Sequence, residues 1–358
     1  MNTILGELGR NPKFIELLNL IQKTKSPVEI SGLGDVGSVQ IETAINEFAK
    51  KPICIITYNE IQAKRIYEDI KYFTDKVVLF PKKEIVTYDY VAKSQDIPYK
   101  RIEALNEITS KKNLIVITTI EAIMQKIPSK ETLYKEQIKF EIGKSYDLEN
   151  IKRELVKLGY SRCELIEGKG QFSIRGGILD ISENKKTGIR IEFWGDEVDS
   201  IREFSITSQR SINTKQNVQI NPAHEYVLEK STDEIVSKIL KRKDHIEEDI
   251  EQIKEGNYIS KTDKYFDSFY ENQDTILNYL SLSYCIILDE ITKIRARAKN
   301  IQTDNKNLTK ALIEKEKFVP DALNNMASME EIEEILKEKQ LIYTQKQDVA
   351  SRKQWYKI

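Results

Sequence analysis

Three short runs in this chain, residues 53–57 (ICIIT), 114–118 (LIVIT) and 284–288 (YCIIL), are apolar almost without a break. A strand that reads this way is buried on both faces, and the arrangement that buries both is a parallel sheet with helices packed on each side. The intervals agree. Residues 28–31 make a short strand that ends in the glycine turn Gly32-Leu33-Gly34-Asp35-Val36-Gly37, and residues 38–49 carry Ile41, Ala44, Ile45 and Phe48 at helical spacing. Residues 61–73 and 100–109 read as further helices, and 77–80 as a strand. Strand–helix alternation predicts an α/β fold built on a doubly wound parallel sheet.

The pattern changes near Pro128. One amphipathic helix, with Leu148, Ile151, Leu155 and Leu158 on a face, stops at Gly159. Short strands with turn signals follow at 162–167, 171–175, 177–182 and 189–194, which predicts an inserted antiparallel α+β domain. The strand at 284–288 ends in Asp289-Glu290 and is expected to rejoin the first sheet. The predicted division is residues 1–130 for the first piece of the parallel-sheet domain, 131–208 for the insert, 209–310 for the second piece and 311–358 for a helix-rich extension.

Charge narrows the function. The 358 residues hold 56 basic and 57 acidic side chains, a net charge of -1. Binding duplex DNA through its phosphates calls for a basic excess or stripe, and no excess is present. Cys54, Cys163 and Cys285 are odd in number and far apart, each in a strand-like run, as expected of buried reduced thiols. His224 and His245 lack ligand spacing to them, so no metal is expected. The first residues lack the apolar core of a signal peptide, and no run approaches the roughly 20 residues that span a bilayer. The expectation is a cytoplasmic protein with no membrane partner.

Strand, glycine loop and helix at 28–49 have the order of a nucleotide-binding loop, whose chemistry needs a lysine on the β/γ-phosphates followed by a hydroxyl on magnesium. Aligning Gly32 and Gly37 with the motif's two glycines, with Gly34 inside the loop, places Ser38 at the lysine position and Val39 at the hydroxyl position. The fixed cation and the metal ligand are both missing, and Asp35 adds a negative charge. Asp289 and Glu290, at the end of a buried strand, are the type of acidic pair that holds magnesium. Without the lysine they read as vestigial, and no cofactor is expected for this segment.

The run Gln171-Phe172-Ser173-Ile174-Arg175-Gly176-Gly177-Ile178-Leu179-Asp180, then residues 190–202 (RIEFWGDEVDSIR), Ser208-Gln209-Arg210-Ser211 and Asn221-Pro222-Ala223-His224-Glu225, is similar to the amino-terminal UvrB-homology module of the bacterial transcription-repair coupling factors. Tyr88-Asp89 and Gln95-Asp96-Ile97 fit the same family. The resemblance covers nearly the whole chain and is weakest after about residue 300. It implies a degenerate helicase-like domain in two sequence pieces, interrupted by a domain that binds the damage-recognition protein UvrA. It also implies that ATP and magnesium serve a separate carboxy-terminal motor. RNA polymerase and DNA would be engaged through domains beyond this chain, and the UvrA surface would be masked by intramolecular carboxy-terminal domains. Two departures matter. UvrB carries a long aromatic β-hairpin that clamps DNA, whereas Tyr90 and Ile97 here are separated only by Val-Ala-Lys-Ser-Gln-Asp. The chain also ends before any polymerase-binding domain or motor, so a fragment is expected.

Alternation supplies an independent argument for the binding residues. In residues 189–194, Ile189, Ile191 and Phe193 share one face, and Arg190, Glu192 and Trp194 the other. Phe172 and Ile174 point inward, leaving Gln171, Ser173 and Arg175 outward. Exposed Arg and Trp are enriched in binding hot spots. The plainer reading is a solvated face whose arginines pair with Glu192 or Asp180, contacts worth about 0–1 kcal/mol. The resemblance favours Arg175, Arg190 and Trp194 as the UvrA-contacting surface of a module that is not an enzyme. The rival reading is an ATP-dependent DNA enzyme of UvrB or helicase type. Tyr88, Tyr90 and Tyr99, near basic residues, read as packing tyrosines more readily than as base-stacking ones, and residues 330–339 as a solvated helical face.

Overall fold

The computed structural model describes residues 3–23, 27–84, 96–135, 137–255, 261–315 and 317–346. Tyr88, Asp89, Tyr90 and Gln95, together with the segment that replaces the aromatic hairpin, lie outside them. The elements that place the candidate sites are, in chain order, α1 (Thr3–Arg10), α2 (Pro12–Lys23), β1 (Val28–Ser31), α3 (Asp35–Ala49), β2 (Ile53–Thr57), α4 (Glu60–Lys71), β3 (Val77–Phe80), α5 (Asp96–Ser110), β4 (Ile115–Thr119) and β5 (Ile138–Glu141). There follow α6 (Leu148–Lys157), β6 (Ser161–Arg162), β7 (Gln171–Arg175), β8 (Ile178–Ser182), β9 (Thr187–Trp194), β10 (Glu197–Ser205), β11 (Ser211–Lys215) and β12 (Asn217–Ile220). The last are α7 (Thr232–Leu240), α8 (Glu247–Lys254), β13 (Cys285–Asp289), α9 (Ile291–Glu314), α10 (Met329–Leu336) and β14 (Gln340–Gln345).

The predicted α/β class holds. A six-stranded sheet runs β1-β14-β13-β2-β4-β3, with every neighbouring pair parallel. The apolar runs of β2, β4 and β13 are buried at every position, as two-sided coverage requires. Alternate residues feed two cores. Ile53, Ile55, Ile115, Ile117 and Ile287 meet Phe14, Leu17, Ile41, Ile45 and Ile66 on one face. Cys54, Ile56, Val116, Ile286 and Leu288 face the other core, which continues without a break into the insert through Ile151, Leu155, Phe172, Leu179, Ile189 and Ile191. That insert is a second six-stranded sheet, β11-β10-β9-β8-β7-β6, antiparallel except for the β6–β7 pair, with α6 beside it. A third core gathers Tyr226, Ile235, Ile239, Ile250, Tyr265 and Phe269 around α7 and α8.

Buried ions tie α5 and the end of β3 to the segments that lie beyond the parallel sheet. Arg101 on α5 donates from Nε to Glu225 Oε2 at 2.8 Å and from Nη1 to the Pro81 carbonyl at 2.7 Å, and its guanidinium lies 4.2 Å from the Phe80 ring centroid. Lys83 pairs with Asp263 at 2.6 Å and bonds to Tyr226. Lys169 of the insert donates to the Tyr99 carbonyl at 2.7 Å, and the Tyr99 ring stacks on His224. The packing role read for Tyr99 is where the structure puts it.

Three expectations shift. The helix after the glycine turn starts at Asp35, not residue 38, so Gly37 and Ser38 are helical and the loop contracts to Gly32-Leu33-Gly34. The boundary placed at residue 208 falls inside the second sheet. Ser211–Lys215 adds its last strand, and Asn217–Ile220 pairs with Ile138–Glu141, so the insert runs on to about Ile220. The extension from 311 is not purely helical: Gln340–Gln345 is a parallel strand inserted between β1 and β13. Its apolar stretch is only Leu341-Ile342-Tyr343, flanked by Gln340 and by Thr344-Gln345, and it follows a highly charged helix, so no long apolar run marks it. Among the described residues, no helix is long and apolar enough to cross a membrane.

Candidate functional site

Two places carry the residues singled out by sequence. The first is the end of the parallel sheet where β1 gives way to α3. Gly32 adopts φ of +78°, which a side chain would resist, and its N–H reaches the Gln345 carbonyl at 3.1 Å. Gly34 caps α3 with extended backbone, and the Ser38 amide is already bonded to the Gly34 carbonyl at 3.0 Å. Asp35 in the first turn complements the helix dipole and is held by Arg65 and by Lys346, the latter at 2.6 Å. Those cations, Arg65 first, depress the Asp35 carboxyl to about 2. Where a phosphate loop would present open amides, this chain presents its own ion-paired carboxylate.

Asp289 closes the same end. It is buried, and it accepts from Thr57 Oγ1 and Gln62 Nε2 at 3.1 Å each and from Thr344 Oγ1 at 3.4 Å. Glu290 takes a left-handed φ of +64°, accepts the Lys346 amide at 2.9 Å and pairs with Lys293 at 3.3 Å. The acidic pair is therefore split, one carboxylate tied into the sheet and the other turned to α9 and β14. Glu42, which the sequence reading passed over, is buried, and among the described residues neither carboxyl oxygen has a hydrogen-bond partner. Burial, reinforced by Asp289, raises its pKa well above the ordinary value.

The second place is the outer face of the antiparallel sheet. Cross-strand pairing aligns Arg175, Ile178, Glu192 and Ser200 in one row and Ser173, Asp180, Arg190, Arg202 and Thr214 in the next. Two hairpin tips lie side by side at its end. Gly176 and Gly195 supply the positive φ angles, +59° and +61°, that the tight turns require. The Phe193 amide bonds to the Gly177 carbonyl at 2.7 Å, and a Cβ on Gly177 would sit 2.8 Å from the Phe193 carbonyl oxygen. Phe193 turns inward to pack on Phe140, and Trp194 turns outward, 86% exposed. The predicted alternation of this strand is correct.

Asp180 organises the face. Its side chain is 2% exposed; Oδ1 accepts from Arg190 Nε at 2.7 Å, and Oδ2 accepts from Arg190 Nη2 and Arg175 Nη2 at 2.9 Å each. The Arg190 guanidinium also lies 4.6 Å from the Phe204 ring centroid, and the bond to Asp180 raises its pKa above the ordinary value. Arg175 is 47% exposed and Arg190 only 18%. Glu192 is engaged by Ser200 at 2.7 Å and Arg202 at 3.2 Å. The face is not uniformly open, as Ser173 shows: expected outward on alternation, it is buried because its hydroxyl bonds to the Glu164 carbonyl under the loop that carries Ile166. The sequence signal for Asp180 was available: a lone charge inside the strand ILDIS, which the sheet sets directly opposite Arg190.

Residues 138–226, which hold most of the antiparallel insert, match the UvrB interaction domain family. The likeness extends well beyond that domain. Over 346 residues, 90% of this chain, it is 29% identical to the transcription-repair-coupling factor of Bacillus subtilis strain 168. It is 25% identical over 342 residues, 87% of the chain, to that of Staphylococcus aureus strain USA300, and 26% identical over 288 residues, 74% of the chain, to that of Staphylococcus haemolyticus. The resemblance read from the motifs is borne out: the chain is related over nearly its whole length to the transcription-repair-coupling factors. It spans 29%, 28% and 24% of the lengths of these three relatives.

Proposed function

We propose that this chain is a recruitment module of transcription-coupled nucleotide excision repair, whose inserted domain binds UvrA through Arg175, Arg190 and Trp194. The observation that supports it most is Trp194, a large aromatic side chain left exposed at the end of the strand that carries Arg190, on a sheet whose outer face also holds Arg175, both arginines fixed on one buried carboxylate. Scattered exposed apolar residues are ordinary. An exposed Trp on one sheet face with preorganised Arg is the composition of a binding hot spot. In this reading the segment performs no catalysis and uses neither ATP nor magnesium, consistent with Ser38 and Val39 at the lysine and hydroxyl positions and with Asp35 filling the helix start. In the whole factor the surface is masked by the carboxy-terminal domains until the motor engages stalled RNA polymerase, and polymerase and DNA are handled by those other domains.

The test is binding of purified UvrA to this chain, without nucleotide, beside an Arg175→Ala, Arg190→Ala, Trp194→Ala triple variant whose fold is checked by circular dichroism. Binding by the parent and none by the folded variant supports the proposal. Absence of binding by the parent, or equal binding by both, overturns it.

A further inference from the structure

We propose that Asp180 is the positioning residue of this interface: it fixes the Arg175 and Arg190 guanidinium groups in the geometry that receives a partner carboxylate, and it acts through them without touching the partner. The inference rests on the UvrA-binding reading and goes beyond it by naming a residue of the opposite charge from the one an electropositive surface would select.

The geometry carries the argument. Asp180 lies in the middle of β8, directly paired with Arg190 on β9 and Ser173 on β7. Its carboxylate is almost wholly covered, yet both oxygens are used, in three bonds of 2.7–2.9 Å to two arginines. The Nε and Nη2 pair on Arg190 is the two-pronged contact that fixes a guanidinium in plane as well as in place. Phe204 supports that plane from below, and Gly188 makes room for the ring, because a Cβ there would approach Phe204 to 2.6 Å. Asp180 takes the Nε and Nη2 edge of Arg190, whose Nη2 also donates to Gln209 Oε1 at 3.3 Å, and a single nitrogen, Nη2, of Arg175. What is offered to a partner is the remaining edge of Arg190 and the half-exposed head of Arg175, both oriented before binding. Long side chains ordered in advance spare the entropy of ordering them on association, about 0.5–1.5 kcal/mol per side chain.

This assignment makes a prediction with the opposite sign from simple charge. Asp180→Asn adds one positive charge to the face. If the surface worked by net potential, UvrA would associate faster and bind at least as tightly. If Asp180 positions the arginines, the variant binds at least tenfold more weakly, with the loss in a faster dissociation rate and no fall in the association rate at low salt. Glu192→Gln, which adds the same charge on the same face but, among the described residues, bonds to Ser200 and Arg202 and to neither Arg175 nor Arg190, is the control.

The measurement is the kinetics of UvrA binding to the full chain, by surface-immobilised interferometry at two salt concentrations, with thermal unfolding of each variant. The expected result is parent binding, Asp180→Asn weakened at least tenfold through dissociation, and Glu192→Gln not weakened. If Asp180→Asn does not fold, Arg190→Lys takes its place, since it keeps the charge and loses the two-pronged contact; weakening supports the proposal and unchanged affinity overturns it. Asp180→Asn binding as well as the parent, or Glu192→Gln weakened to the same degree, overturns the positioning role and leaves the UvrA reading standing. A parent chain that fails to bind UvrA overturns both.

Discussion

Replacing Arg101 with Met should test how α5 is held to the segment that follows the insert. Arg101 and Glu225 are 0% and 1% exposed at a separation of 2.8 Å. At an effective dielectric of about 20 their attraction is about 6 kcal/mol, but each buried ion costs several kcal/mol to strip of water, so the intact pair is worth little net. Removing one partner is different. Glu225 would remain a buried charge without a counter-ion, its Oε1 already lacking a hydrogen-bond partner, and the Pro81 carbonyl would lose its donor. Met keeps much of the apolar contact with Phe80, so the change reports on charge more than on volume. The expected cost is about 3–5 kcal/mol. Adding Glu225→Met removes the orphaned charge, and the double variant should recover at least about 2 kcal/mol relative to the sum of the single costs. Urea unfolding followed by tryptophan fluorescence and far-ultraviolet dichroism gives all three values. A single-variant cost below about 1 kcal/mol, or costs that simply add, would refute the reasoning.

Three further outcomes follow from the same structure. The raised pKa of buried Glu42 means that above its ordinary value of 4.5 the folded chain holds a proton that the unfolded chain releases. Stability should therefore fall as pH rises through that window. Glu42→Gln should raise the melting temperature at pH 8 and flatten its dependence between pH 5 and 8, and parallel profiles for variant and parent would contradict this. Restoring the loop residues with Ser38→Lys and Val39→Thr should not produce nucleotide binding, because Asp35, Arg65 and Lys346 fill the helix start; saturable binding of a fluorescent ATP analogue by that variant would show the site to be open. Burial pushes the Cys54 and Cys285 thiols up to about 12, while Cys163 is only half-buried. A disulfide reagent at pH 8 should thus titrate one thiol in the folded chain and three after denaturation.

Much of this was legible in the amino-acid sequence because the informative residues obey local rules. The apolar runs of β2, β4 and β13 report two-sided burial, and the alternation in Ile189–Trp194 assigns Phe193 to the core and Trp194 to solvent. What stayed hidden depends on partners outside the strand itself. Ser173 was placed outward, correctly for its own strand, but the loop that leads into that strand covers it. Arg190 was placed outward too, and its exposure is small because a carboxylate one strand away holds it down. The last strand of the parallel sheet has only the short apolar run Leu341-Ile342-Tyr343. It is a strand because β1 and β13 leave a gap that pairs it on both edges.

That last strand also explains what became of the nucleotide-loop residues. Lys346, just past its end, reaches Asp35 at the start of α3, and its amide is taken by Glu290. Thr344 bonds to Asp289, the Glu290 amide bonds to the Thr344 carbonyl at 2.9 Å, and Gly32 bonds to the Gln345 carbonyl. Each of the polar residues that a nucleotide site would turn toward phosphate and magnesium is here turned toward β14 or the elements beside it. A carboxylate at the end of a buried strand needs donors from somewhere, since leaving it unpaired costs several kcal/mol. With no lysine at position 38, the donors come from Thr57, Gln62 and Thr344. The serine at position 38 and the insertion of β14 belong to one arrangement: Gly32, Asp35, Asp289 and Glu290 all bond to β14 or to the elements beside it, and so help fix the sheet that carries the insert.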